Sequence, residues 1–405
     1  MVSLMNKKII FHIDVNSAFL SWEAEYRIRV LKSTLDLRTL PSAVGGDSSK
    51  RHGIILAKSI PAKKYGIQTG EPVHQSLKKC PDLLLVPPNH SLYEECSRNL
   101  LALLYEFTPE IEPFSIDEAF LNMTGAILPN SNPIETAEFI REKVRAELGF
   151  TVNIGISNNK LLAKMASDFQ KPDKVHTLFP EEVPLKMWPL PLEELYFVGR
   201  SSAKILRGLG LNTIGDIAKL NPKFLKSHLG NKHGELIYQY AHGIDNNTVD
   251  IADTPNKGYG NSTTLSKDID NMEAASFILL SLSETVAARL RRNDVKAGCI
   301  TVEITDCDFN KSSHQTTLLS STNATNKIHE IAIMLLKEFW KGIPIRLLGI
   351  RATKLSSEDY TQLNLFDMVN YEKQEKLDQA LDAIRNRFGK DSVKRASFLE
   401  TDDTD

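Results

Sequence analysis

The chain has 405 residues, of which 41% are hydrophobic and 25% charged, and its formal net charge is −2. That length exceeds what one hydrophobic core organises and predicts roughly two to four domains. The near balance of 49 Lys+Arg against 51 Asp+Glu excludes a uniformly basic nucleic-acid coat, and the short apolar runs exclude a membrane span.

The charge is nonetheless uneven. Residues 257–355 hold 13 Lys/Arg against 10 Asp/Glu, whereas residues 356–405 hold 7 against 12, so an acidic tail hides a mildly basic segment. The start, MVSLMNKKIIFHID, becomes charged too early for a secretory leader. Cys80, Cys96, Cys299 and Cys307 show neither CxxC spacing nor a zinc pattern, which predicts reduced thiols and a cytoplasmic protein.

KKIIFHIDV (7–15) reads as a buried strand, with Asn16 and Ser17 able to cap a helix over 17–31. Turn residues dominate 32–53, with a strand before Gly45-Gly46. A strand at 54–59 and helical turns to Lys79 follow. Leu100, Leu103, Leu104 and Phe107 recur at helical spacing in 93–107. FSIDEAFLNM reads as a strand or hairpin, 134–149 as an amphipathic helix ending at Gly149, FTVNIGIS as a strand, and 159–169 as a helix. The Pro-rich seam 179–195 marks a boundary, and 197–220 gives short helices joined by glycines. Beyond KGYGNSTT come helices at 273–292 and 322–341 and strands near 299–306 and 346–354. A polar linker from Ser356 carries QLNLF and leads to a charged helix near 371–387. The pattern is α+β and multidomain.

Three acids stand in apolar settings: Asp14 at the end of the first strand, and Asp117-Glu118 within FSIDEAFLNMTG. Clustered carboxylates repel unless neutralised. Hard divalent cations neutralise them and can clamp both oxygens of a phosphoryl displacement. Helix capping or pairing with lysines is the competing explanation. Neighbours on a regular strand point to opposite faces, so Asp117 and Glu118 can share a site only where the chain turns or bulges.

FHIDVNSAF, SIDEAFLNMTG and NIGISNNKLLAKMASDFQKP, in this order and spacing, resemble the Y-family translesion DNA polymerases of the bacterial polymerase IV kind. There is some similarity to the polymerase V catalytic subunit. The resemblance runs from about residue 7 to 355, with a recognisable end at 362–366. It implies a right-hand polymerase: a palm with small fingers (1–189, fingers about 20–80), a helix–hairpin–helix thumb (190–252), an α/β little finger (257–355) and a polar tail (356–405). It further implies Asp14, Asp117 and Glu118 as catalytic residues and, with the Val15 carbonyl, as ligands of two Mg²⁺ ions. Phe19, five residues after Asp14, would be the steric gate that blocks a ribose 2′-OH, although alone it reads as a core aromatic. His12 shares the strand face of Asp14 in a core or supporting role.

Lys164 would approach the incoming triphosphate, whereas Lys160, one turn earlier, reads as solvated. The family's fingers Tyr-x-x-Arg is here Ile60 and Lys63, an ammonium in place of a guanidinium fork; Lys58 and Arg51 stand nearby. The thumb's Gly-x-Gly hairpin is Phe197-Val198-Gly199. Arg289, Arg291, Arg292, Arg346, Arg351 and Lys354 are candidates for contact with the DNA backbone. Gln362, Leu363, Leu365 and Phe366 match the peptide by which bacterial polymerases bind the sliding clamp, with about 40 residues following. The implied partners are primer-template DNA, deoxynucleoside triphosphates and the clamp, for a monomer without membrane attachment. A nucleotidyl cyclase with a similar palm and a decayed DNA- and clamp-binding scaffold are the alternatives. The C-terminal features oppose the first, and the intact acids oppose the second.

Overall fold

IFHIDV is dominated by β-branched and aromatic residues, and it forms β1 (Ile10–Val15), a strand buried along its whole length. The computed structural model describes residues 8–46, 53–129, 131–251, 255–357, 368–389, 392, 393 and 395. The chain divides into two units, Met1–Asp253 and Thr254–Asp405.

In the first unit, α1 (Ala18–Arg29) follows β1, then β2 (Ser42–Gly45), β3 (Ile55–Lys58), α2 (Ile60–Lys64), α3 (Val73–Lys79), β4 (Leu84–Val86) and α4 (His90–Leu104). The hairpin β5 (Ile111–Pro113) and β6 (Glu118–Asn122) comes next, then α5 (Pro133–Leu148), β7 (Val152–Ser157), α6 (Lys160–Asp168) and β8 (Val175–Thr177). The main sheet has the order β5-β6-β1-β7-β8, so β1 pairs antiparallel with both β6 and β7.

Alternation along β1 divides the sheet's two faces. Phe11, Ile13 and Val15 join the core built with Trp22, Tyr93, Leu100, Ile140 and Val144 of α1, α4 and α5. Ile10 meets Ala163 of α6 on the other face, the face shared by His12 and Asp14. Helix α6 lies so close to β7 that a Cβ on Gly155 would stand 1.9 Å from the Ala163 carbonyl oxygen, so only glycine fits there. A smaller sheet, β3-β2-β4, closes its own core with Ala43, Ile55, Ile67, Val73 and Leu83.

The helices α7 (Arg200–Gly208), α8 (Ile214–Ala218), α9 (Pro222–Leu229) and α10 (Asn231–Ala241) follow. Leu206, Ile214, Ile217, Leu225 and Ile237 share a core with Leu161, Leu162 and Met165 of α6. Phe197 precedes them with φ 72, so an aromatic residue holds the left-handed backbone that glycine takes most readily.

The second unit contains β9 (Gly258–Ile269), α11 (Met272–Arg292), β10 (Lys296–Asp306), β11 (Lys311–Thr322), α12 (Thr325–Phe339), β12 (Ile345–Ser356) and α13 (Met368–Phe388). Its antiparallel sheet, order β11-β10-β12-β9, shares a core with α11 and α12 through Leu279, Val286, Ile300, Ile328, Leu336 and Ile350. The sequence gives no sign of β9 or β11, because both are edge strands and largely polar on both faces; most of β11 is exposed. No helix among the described residues is long and apolar enough to cross a membrane.

Two local expectations change. Ser17 sits at the start of α1 with φ 49 and caps nothing with its side chain, and the Asn16 side chain turns to Asn153 instead. Arg291 is not free for DNA: its side chain is 9% exposed and pairs with Asp378 and Asp382 of α13. Gln362, Leu363, Leu365 and Phe366 lie outside the described residues, as does Arg51.

Candidate active site

The hairpin resolves the problem of the adjacent acids. β5 pairs with β6 from Ile111↔Leu121 to Pro113↔Ala119, and the chain turns over 114–117. The backbone N–H groups of Phe114 and Ser115 both donate to the Glu118 carbonyl, at 2.9 and 3.1 Å. Asp117 therefore belongs to the turn and Glu118 to the strand, so the alternation of a regular strand does not separate them. The Asp117 carbonyl accepts from Val15 N–H at 3.0 Å, tying the turn to the end of β1. Its carboxylate accepts from Ser115 Oγ at 2.7 Å.

Asp14 and Glu118 stand opposite each other in the β1–β6 register and so share one face of the sheet. Each carboxylate meets a lysine. Lys171 Nζ lies 2.9 Å from Asp14 Oδ1 and 2.8 Å from Asp168. Lys164 Nζ lies 2.5 Å from Glu118 Oε2, while also facing the rings of Phe114 and Tyr196 at 5.2 and 5.6 Å. His12, fully buried, places Nε2 3.3 Å from the same Glu118 oxygen, and its Nδ1 is 2.8 Å from Ser167 Oγ.

Burial pushes the Asp14 carboxyl up to about 6 against the pull of Lys171. Burial pushes Glu118 in the same direction, yet the contacts with His12 and Lys164 outweigh it and hold the group well below the usual carboxylate range. Burial lowers His12 to about 4, so the imidazole is neutral at pH 7.

A cleft of about 400 Å³ opens over Asp14, Val15 and Asp117. Phe19, Arg38, Lys58, Ile60, Lys63 and Lys171 also line it. Phe19 reaches it from α1, stacked on Tyr93 at 4.3 Å, and the Tyr93 hydroxyl donates to the buried Glu23 at 3.0 Å. Of the sequence-derived candidates, the fold brings together Asp14, Val15, Phe19, Lys63 and Asp117. Lys164 is engaged with Glu118, and Lys160 with Glu112 at 2.6 Å, so the latter is not simply solvated. No local feature of the sequence marks Lys171, although it follows the α6 residues directly in DFQKP. Only its contact with Asp14, 157 residues away, reveals it.

Among the described residues, no three His, Cys, Asp or Glu side chains converge tightly enough to form a ready metal cage. The donor chemistry still fits a hard divalent cation. Asp14 and Glu118 are each already faced by a positive charge, and Asp14, Val15 and Asp117 line the cleft, Glu118 standing across the register from Asp14.

The impB/mucB/samB family matches residues 13–168, and its C-terminal domain matches 256–365. A thumb domain described for DNA polymerase-iota matches 193–245. DNA polymerase IV of Clostridium acetobutylicum is 43% identical over 396 residues, covering 98% of this chain and 99% of that protein. DNA polymerase IV 1 of Bacillus subtilis is 35% identical over 400 residues, covering 98% and 94%. A solved Y-family DNA polymerase chimera superposes with a TM-score of 0.74 at 23% identity, over 86% of this chain and 100% of its own. Aligned almost end to end with such relatives, the chain belongs to the DNA polymerase IV family of Y-family DNA polymerases.

Proposed function

We propose that the chain is a template-directed, translesion-type DNA polymerase that extends a primer 3′-OH with deoxynucleoside triphosphates at the cleft over Asp14 and Asp117. The observation that carries this reading is the register pair Asp14–Glu118, joined by Asp117 from the hairpin turn. On this reading residues 1–189 are palm and fingers, 190–252 the thumb, 257–355 the little finger and 356–405 the tail.

Asp14, Asp117, Glu118 and the Val15 carbonyl would hold two Mg²⁺ ions. When bound, the ions supply the charge that stabilises the attacking and leaving oxygens of the displacement. The chain's own groups do the positioning. Lys171 and Lys63 both line the cleft and would offer point charges to a triphosphate there. Lys164 holds Glu118 from the α6 side and would approach the incoming triphosphate from there. Phe19, backed by Tyr93, occupies the wall a ribose 2′-OH would meet. Phosphoryl transfer asks mainly for such positioning and charge.

We further propose a cytoplasmic monomer that docks on the sliding clamp through Gln362, Leu363, Leu365 and Phe366. Primer extension on an abasic template, comparing the wild type with Asp117→Asn, tests the activity. Extension by the wild type with Mg²⁺, lost in the variant, is the expected result. Failure of the wild type to add any nucleotide rejects the reading.

A further inference from the structure

Two asparagines, Asn16 in the lining of the cleft and Asn153 buried behind it, neither of them needed as a metal ligand, make a closed hydrogen-bond frame. Asn153 is fully buried on β7, beside Asp14 in the sheet register. Its Nδ2 donates to the carbonyls of Ser167 at 3.0 Å and Gln170 at 2.8 Å. Its Oδ1 accepts from Asn16 Nδ2 at 3.1 Å and from Lys174 N–H at 3.3 Å. Every hydrogen-bonding position of that amide is thus used, which fixes which end is oxygen. Asn16 Oδ1 accepts from Thr151 Oγ1 at 3.0 Å and from Asp173 N–H at 2.9 Å.

The two side chains therefore grip the backbone from the last turn of α6 to the start of β8, at Ser167, Gln170, Asp173 and Lys174. Lys171 stands in the middle of that gripped segment. Around it, Arg141 and Arg145 reach the Asp173 side chain, His176 Nε2 reaches the Gln170 carbonyl at 3.2 Å, and the Lys174 carbonyl accepts from the Ile154 N–H at 2.9 Å; none of these holds the backbone between Gln170 and Lys174 as the asparagines do. A long lysine side chain on a loop can place its ammonium reproducibly only where the backbone beneath is fixed.

We propose that Asn153, together with Asn16, is the positioning residue for Lys171. The pair sets where the Lys171 ammonium stands against Asp14 and, resting on the function proposed above, against the incoming triphosphate. Asn153 lies outside the residues that line the cleft; both asparagines act on Lys171 through the loop.

Single-nucleotide incorporation kinetics on the full chain test this, with Lys171→Ala, Asn153→Ala, Asn16→Ala and the double variant Lys171→Ala/Asn153→Ala. Lys171→Ala is expected to raise KM for the nucleotide about tenfold, the loss of a charge-assisted contact. Asn153→Ala is expected to raise it about fivefold with kcat and DNA affinity little changed, since only one loop is loosened. The double variant should be no worse than Lys171→Ala alone. An unchanged KM in Lys171→Ala rejects the phosphate role of that lysine, whatever the asparagines do. A raised KM in Lys171→Ala with additive or absent effects of Asn153→Ala overturns the positioning role. Should Asn153→Ala not fold, Asn16→Ala and the double variant Lys171→Ala/Asn16→Ala decide by the same criteria, because they remove one of the two grips and leave the buried amide in place; an additive double variant overturns the positioning role.

Discussion

Helix α12 begins without a cap of its own. Ala324 stands at its N-cap position and offers no side-chain acceptor. The acceptor comes from the far end of the chain: Asp378 of α13 takes the Thr325 N–H at 2.9 Å through Oδ2, and the same oxygen faces Arg291 Nη1 at 3.2 Å. Asp378 is 3% exposed, so Asp378→Ala acts in a place with little water to compensate. Losing the cap costs about 1 kcal/mol. Arg291 keeps Asp382 at 2.7 Å and the Asn323 carbonyl at 2.8 Å, so the broken pair costs about 2 kcal/mol, less than removing the sole partner of a buried charge. Together these predict a loss of about 3 kcal/mol in the docking of α13, on the order of a hundredfold more frequent opening. Amide hydrogen exchange over residues 374–389 and the first turn of α12 reads this directly. Asp378→Asn should recover the cap contribution alone and fall between the two. Unchanged protection of both segments in Asp378→Ala would refute the trans-cap and its charge pair.

Phe19→Ala should raise ribonucleotide incorporation relative to deoxyribonucleotide by at least about a hundredfold, the scale set by a lost steric exclusion of some 3 kcal/mol; unchanged discrimination in steady-state kinetics removes the gate assignment. The raised pKa of Asp14, about 6 in the metal-free chain, means that a cation must displace a proton at acidic pH. Divalent-cation affinity should therefore weaken as pH falls through 6 and level off above 7, and a Mn²⁺ titration without DNA that gives equal affinity at pH 5.5 and 7.5 contradicts it. The same shift makes ionised Asp14 a cost to the folded state, absent well below pH 4 and fully present above 6. Phe366→Ala should abolish clamp binding in a pull-down while leaving clamp-free primer extension intact; retained affinity would move the docking site elsewhere.

What the sequence discloses divides along a physical line. Asp14, Asp117 and Glu118 are conspicuous because a charge in an apolar run is costly and needs a reason, and the helices with a one-sided apolar pattern follow from periodicity. The strands β9 and β11 give no such signal: edge strands bonded on one side only can be polar on both faces. Asn16 shows the harder limit. Locally it reads as a helix cap, since asparagine before a helix commonly is one. What it binds, Asn153 and the Asp173 backbone, lies 137 and 157 residues away. Lys171 and Arg291 repeat the pattern, as basic residues that local composition assigns to solvent or to DNA. Each takes an acid from a distant segment, Asp14 for Lys171 and Asp378 and Asp382 for Arg291. A site built on long-range pairs thus exposes its acids in the sequence and conceals the residues that position and neutralise them. Substitutions at those concealed residues should alter KM and stability long before they alter any recognisable motif.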